Sequence, residues 1–227
     1  MTVIIAGGHG KIAQLLERRL ADAGQEVVGI IRNPDHAADL EKAGAKALVL
    51  DLESIDAETL AKHLQGADAV VFAAGGGAKS GAERKMTVDR DGAILLADAA
   101  EKAGVDRYVI ISAMSVDGFD VEKSTLPVDD NDDAAVWEVY RRAKSEADAD
   151  IRSRDFDWTI VRPGALTDDA GTGQITTGAT VDRGEIPRAD VAEIVATAIL
   201  EGTAVRTQFE VISGETPISD ALAEIKY

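Results

Sequence analysis

Short apolar runs alternate with amphipathic segments along almost the whole chain, and this alternation restricts the fold more than any other feature. Val3–Ala6 opens the series, and Glu26–Ile31, Ala47–Leu50, Asp68–Ala73, Arg107–Ser112, Trp158–Val161 and Gln208–Ile212 continue it. Helical patterns lie between them, over Ile12–Leu20, Ala37–Ala43, Ala57–Leu64, about Lys85–Lys102, Asp133–Arg154 and Asp190–Leu200, with Ser219–Ile225 last. Brief runs that are apolar on every residue suit strands covered on both faces. Helical connections suit a parallel sheet. The expected fold class is therefore α/β, a doubly wound parallel sheet. No repeat or linker divides the chain, so residues 1–227 are expected to form one domain with a small C-terminal extension on the substrate side. The least regular stretches are Ala74–Ala82, Ala113–Asp132 and Gly164–Pro187. They follow the fourth, fifth and sixth runs, where an open parallel sheet has its ligand crevice.

The turn after the first run is Gly7-Gly8-His9-Gly10-Lys11-Ile12-Ala13. Strand, glycine turn and helix in this order form the opening of a Rossmann-type dinucleotide site. Gly7 allows a backbone closed to residues with a Cβ. Gly10 lets backbone approach a pyrophosphate at a helix N-terminus, and the small Ala13 lets helix and strand pack closely. His9, Lys11 and Ile12 belong to the same cofactor-binding turn.

Composition narrows the remaining chemistry. With 227 residues, 45% of them hydrophobic, the chain can bury one sizeable core. There is no cysteine, which excludes disulfides and thiolate chemistry. His9, His36 and His63 lack metal-ligand spacing, so no metal site is expected. Asp129-Asp130-Asn131-Asp132-Asp133 resembles a calcium loop but lacks its glycine and distal Glu, and reads as a solvated loop and helix start. The formal charge of −17 argues against nucleic-acid partners. No run is long enough to span a bilayer, so no membrane partner and a cytoplasmic location are expected, with a small-molecule substrate and a monomer or small homo-oligomer. An anionic cofactor must then be held by local positive charge.

The second run ends in Arg32-Asn33 rather than in the acid that grips a ribose 2′-hydroxyl. An arginine there can stack on adenine and pair with a 2′-phosphate, and Lys11 can add charge, so NADP(H) is expected over NAD(H). Asp51-Leu52 closes the third run, and Asp51 can accept from an adenine amino group; Ser54 and Asp56 are better placed to cap the next helix. Ala73-Ala74-Gly75 leaves bare backbone for a ligand to lie on. Tyr140 and Lys144, four apart, share one helix face. An ammonium about 5 Å from the phenol would favour phenolate by roughly 3 kcal/mol at an effective dielectric near 20.

Gly7-x-x-Gly10-x-x-Ala13, Arg32, Asp51-Leu52, Ala73-Ala74-Gly75, Ile111-Ser112-Ala113, Tyr140-x-x-x-Lys144 and Arg162-Pro163-Gly164 occur in the order seen in the atypical short-chain dehydrogenase/reductase superfamily. The chain most resembles its compact NAD(P)H-binding, epimerase-like subgroup, which is similar to biliverdin/flavin reductases and to nitrogen-repressor-like NADP sensors. The resemblance implies Tyr140 as catalytic acid, Lys144 as its partner and ribose ligand, and Ser112, Pro163, Gly164 and Ala165 as cofactor contacts. Met114 stands where the superfamily commonly has its catalytic hydroxyl, and Ser115 substitutes after a one-residue shift. The implied function is NADPH-dependent reduction of a small carbonyl, quinone or flavin-like substrate. The alternatives are a non-catalytic NADP(H) sensor and a sugar epimerase or dehydratase.

Overall fold

Thr2–Ala6 (β1) lies at the centre of a parallel sheet, paired with Glu26–Ile31 (β2) on one side and Ala69–Phe72 (β4) on the other. The computed structural model describes residues 1–77 and 80–225. Lys46–Val49 (β3) extends the sheet beyond β2, while Arg107–Ile111 (β5), Asp157–Pro163 (β6) and Thr207–Ser213 (β10) extend it beyond β4. The parallel order is β3-β2-β1-β4-β5-β6-β10, so the chain reverses direction across the sheet between β1 and β4. Such a switch point opens a crevice beyond the carboxyl ends of the strands.

Alternate residues of β1 serve opposite layers. Val3 and Ile5 pack with Ala13, Leu16 and Leu20 of Lys11–Asp22 (α1) and with Arg188–Leu200 (α7). Ile4 and Ala6 pack with Leu60 and Leu64 of Ala57–Leu64 (α3), Leu96 and Ala100 of Ala93–Ala103 (α5), and Ala147 and Ile151 of Asp133–Ser153 (α6). Each fully buried Leu or Ile contributes about 1.5–3 kcal/mol, which locks both layers to the strands. Pro34–His36 is a 3₁₀ turn leading into Ala37–Lys42 (α2), and Ile218–Glu224 (α8) ends the described chain. No helix among the described residues is long and apolar enough to cross a membrane.

Two expectations change. The helix expected from about Lys85 begins at Ala82–Arg84 (α4) and is π-wound over Lys85–Gly92 before α5. The wider turn belongs to the packing against α6 and leaves no mark in the apolar pattern. Gly164–Pro187, read as irregular, contains Ala165–Thr167 (β7), Gln174–Gly178 (β8) and Glu185–Pro187 (β9). β8 pairs antiparallel with β10 and with Thr216–Pro217 (β11), and β7 pairs with β9. These strands are short and Thr/Gly-rich, and only their partners make them strands. Of the stretch Ala74–Ala82, also read as irregular, residues 78–79 lie outside the described residues.

Candidate active site

The first turn holds its shape through backbone bonds. Gly7 and Gly8 N–H both donate to Ile30 O, at 3.2 and 2.9 Å. Gly7 has φ +86°, and a Cβ there would stand 2.6 Å from the Ala74 backbone. Gly7 is thus required twice, by its conformation and by its contact with the chain leaving β4. Gly10 differs: its φ of −65° is open to any residue. It caps α1 without a side chain, and the ladder of α1 begins with Gln14 N–H donating to Gly10 O at 3.0 Å. Ahead of it, the N–H groups of Lys11, Ile12 and Ala13, the first turn of α1, have no acceptor within the helix. Free donors beside bare glycine backbone fit a pyrophosphate.

A cleft of about 320 Å³ opens at this point. Gly7, His9, Gly10, Arg32, Asn33, Asp51, Leu52, Ala73, Ala74 and Gly75 all line it, joined by His36, Glu53, Arg84 and Val88. His9 and His36 stack at 3.6 Å, and His9 Nε2 lies 3.2 Å from Asp39 Oδ2. The Asn33 side chain accepts from Asp35 N–H, and Asp51 accepts from Glu53 N–H and Ser54 Oγ. Asp56, as expected, caps α3 through Thr59 N–H at 2.7 Å. Arg32 does not stand free: Glu53 Oε2 lies 3.2 Å from its Nη1 and 3.0 Å from Arg84 Nη2.

Other expected cofactor residues lie outside this lining. Lys11 is turned away, its ammonium bonded to Asp168, which also pairs with Arg188 at 2.6 Å. Ile12 packs on the core. Gly164 N–H donates to Val211 O and Ala165 N–H to Gly184 O, both at 2.9 Å; Pro163 O accepts from Met114 N–H at 3.0 Å. These contacts fasten the segment after β6 to the sheet. Ser112 is buried and its Oγ donates to Asp148 Oδ2 at 2.8 Å. Arg162, also buried, bridges Asp148 and Asp117. Ser112 therefore spends its proton on this network. Ser115 is exposed in a left-handed conformation, φ 56°, with its N–H donating to Glu210 and its carbonyl accepting from Arg141.

Tyr140 and Lys144 do share a face of α6. The Lys144 ammonium is 6.0 Å from the Tyr140 ring centre, 3.3 Å from Asp89 Oδ1, and donates to Ile111 O at 3.2 Å. Two of its three protons are engaged, leaving one for a ligand hydroxyl. Burial works against this charge, but Asp89, Tyr140 and Asp148 outweigh it and hold its pKa above the ordinary lysine value. The field of Lys144 on Tyr140 favours the phenolate, as expected, but it does not bring the phenol's pKa down. Burial raises the phenol's pKa, and Lys144, shared with Asp89, only partly opposes this. At neutral pH Tyr140 is a protonated phenol, equipped to donate.

Three contributors have no local signal in the sequence. Asp89, on the π-wound turn, accepts from Gly76 N–H at 2.9 Å while facing Lys144. Lys85, one π-turn earlier, is buried, bonds to Gly77 O and lies 5.6 Å from the Tyr140 ring centre. Its pKa is lowered, chiefly by burial, against the pull of Asp89. Trp137 stacks on the outer side of Tyr140 at 5.3 Å.

The NAD(P)H-binding family matches residues 7–201. The uncharacterized sugar epimerase YhfK of Bacillus subtilis (strain 168) is 31% identical, over 99% of this chain and all of its own. A solved chain from Bacillus halodurans, assigned by name to the NAD-dependent epimerases/dehydratases, is 32% identical over 99% of this chain and 100% of that one, with a TM-score of 0.86. The oxidoreductase ylbE from Lactococcus lactis is 27% identical over 99% and 96%, with a TM-score of 0.81. By its sheet order, its glycine turn and these matches, the chain belongs to the NAD(P)H-binding family of atypical short-chain dehydrogenases/reductases.

Proposed function

We propose that this protein is an NADP(H)-dependent oxidoreductase that reduces a small carbonyl, quinone or flavin-like substrate, with Tyr140 as the proton donor. The observation that carries this reading is Asp89. One carboxylate oxygen receives Gly76 N–H, from the loop whose neighbour Gly75 lines the cleft, and the other faces Lys144 beneath Tyr140. This link supports reading the cleft and the tyrosine as one site. A nicotinamide cofactor, when bound, supplies the hydride. The first turn of α1 would hold its pyrophosphate, Arg32 its 2′-phosphate, and the remaining proton of Lys144 a ribose hydroxyl. Tyr140, protonated at neutral pH, would give its proton to the substrate oxygen or nitrogen as it is reduced.

Tyr140→Phe keeps the ring and its packing against Trp137. Reduction should slow by about 10²–10⁴-fold, with NADPH affinity nearly unchanged. Lys144→Met should impair both rate and affinity. The measurement is NADPH oxidation against quinones, flavins and small carbonyls, paired with calorimetric titration of the same proteins. An unchanged rate in Tyr140→Phe overturns the donor assignment. A second reading, a nucleotide sensor, is favoured by Ser112, whose hydroxyl is tied to Asp148 rather than offered to a substrate; it predicts binding without turnover. The relatives' epimerase names favour a third, in which product forms without net NADPH consumption.

A further inference from the structure

Arg32 leaves β2 and Arg84 ends α4, 52 positions apart in sequence. Both line the cleft, and both point at one atom, Glu53 Oε2. Thr87 Oγ1 donates to the other oxygen, Oε1, at 2.8 Å. Glu53 enters from the loop between β3 and α3, so an acid stands in the cleft although β2 ends without one. We propose that Glu53 is an internal anion that competes with the cofactor's 2′-phosphate for Arg32 and Arg84, so that displacing it sets the preference between NADP(H) and NAD(H). This rests on the nucleotide reading of the cleft.

The physical case is one of exchange. Partly exposed ion pairs hold weakly, and a phosphate offers more acceptor oxygens to two guanidinium groups than one carboxylate does. A 2′-phosphate can therefore take the arginines. Glu53 remains tethered nearby, however, and its negative charge opposes the newcomer. A 2′-hydroxyl brings no charge and leaves Glu53 in place, free to accept from it. Arg84 becomes a specificity-determining residue beside Arg32, and Thr87 becomes a latch on the acid.

Calorimetric titration of NADPH and NADH on wild type, Glu53→Gln, Thr87→Val and Arg84→Met tests this. Glu53→Gln should tighten NADPH by about five- to tenfold relative to NADH. Thr87→Val should move the ratio the same way by less. Arg84→Met should weaken NADPH by roughly tenfold and NADH little. If the wild type binds either nucleotide and Glu53→Gln leaves the ratio unchanged, or shifts both affinities equally, the competition is disproved while the cleft stands. If the wild type binds neither, the nucleotide reading falls and takes this inference with it.

Discussion

Glu17 sits fully buried on α1, directly behind the glycine turn, and neither carboxyl oxygen has a hydrogen-bond partner among the described residues. Gly8 and Gly29 make room for it: a Cβ on either would come within 2.8 Å of Glu17 Oε1. Burial without a partner pushes its pKa from the ordinary 4.5 up to about 8, so the folded protein carries it as a neutral acid at pH 7. The unfolded chain ionises near 4.5. The folded state's extra proton therefore adds stability that is complete below pH 4.5 and is lost as pH rises to about 8. Glu17→Gln mimics the neutral acid. It should change stability little at pH 5 and raise it by on the order of 3 kcal/mol at pH 8. Thermal unfolding across that range measures this, and a gain that does not grow with pH would show that Glu17 is already ionised when folded.

At the scale of elements, α6 carries the proposed chemistry and is fastened by charge as well as by apolar packing. Asp132 caps it through the N–H groups of Ala134 and Ala135, which is what the acidic run 129–133 does at its helix end. Asp148 on α6 meets Arg162 on β6 at 2.8 Å, with both side chains almost wholly buried, and Ser112 at the end of β5 joins them. Arg162→Met fills similar space but leaves Asp148 without its counter-charge. The expected loss is about 3–5 kcal/mol, the scale of stranding one member of a buried pair. Urea unfolding of Arg162→Met checks it. Arg162→Met with Asp148→Leu should recover much of the loss, since a matched apolar pair is often no worse than a buried ion pair. The expected order of strands and helices was legible because central strands such as β1, β4 and β5 are apolar on both faces. The π-wound Lys85–Gly92 was not, because pairing Asp89 with Gly76 and Lys144 depends on elements distant in sequence.

For the whole molecule, the formal charge of −17 and an anionic cofactor are reconciled by placement. Arg32 and Arg84 face the cleft and offset Asp51 and Glu53, which also line it, while much of the remaining acid is spread over the exterior. Self-repulsion of that charge opposes the compact state and is screened by salt. The melting temperature should rise by several degrees between about 0.05 and 0.5 M sodium chloride. A fall would mean that surface ion pairs, themselves screened by salt, outweigh the repulsion.

The sequence by itself determined the parallel α/β sheet, the succession of strands and helices along the chain, and the glycine turn after the first strand. Those follow from local pattern: apolar runs bury, amphipathic segments cover them, and Gly7 permits a backbone that other residues resist. It also marked out most of the cleft's lining, because those residues sit where strands end. Tertiary structure decided what each group does there. Ser112 is drawn to Asp148, Lys11 to Asp168, and the pKa of Tyr140 is raised because burial outweighs a lysine shared with Asp89. Glu53, from the loop between β3 and α3, meets both Arg32 and Arg84 of α4. Charge and hydrogen bonding act over a few ångströms of space, and only the folded chain sets which distant residues come that close.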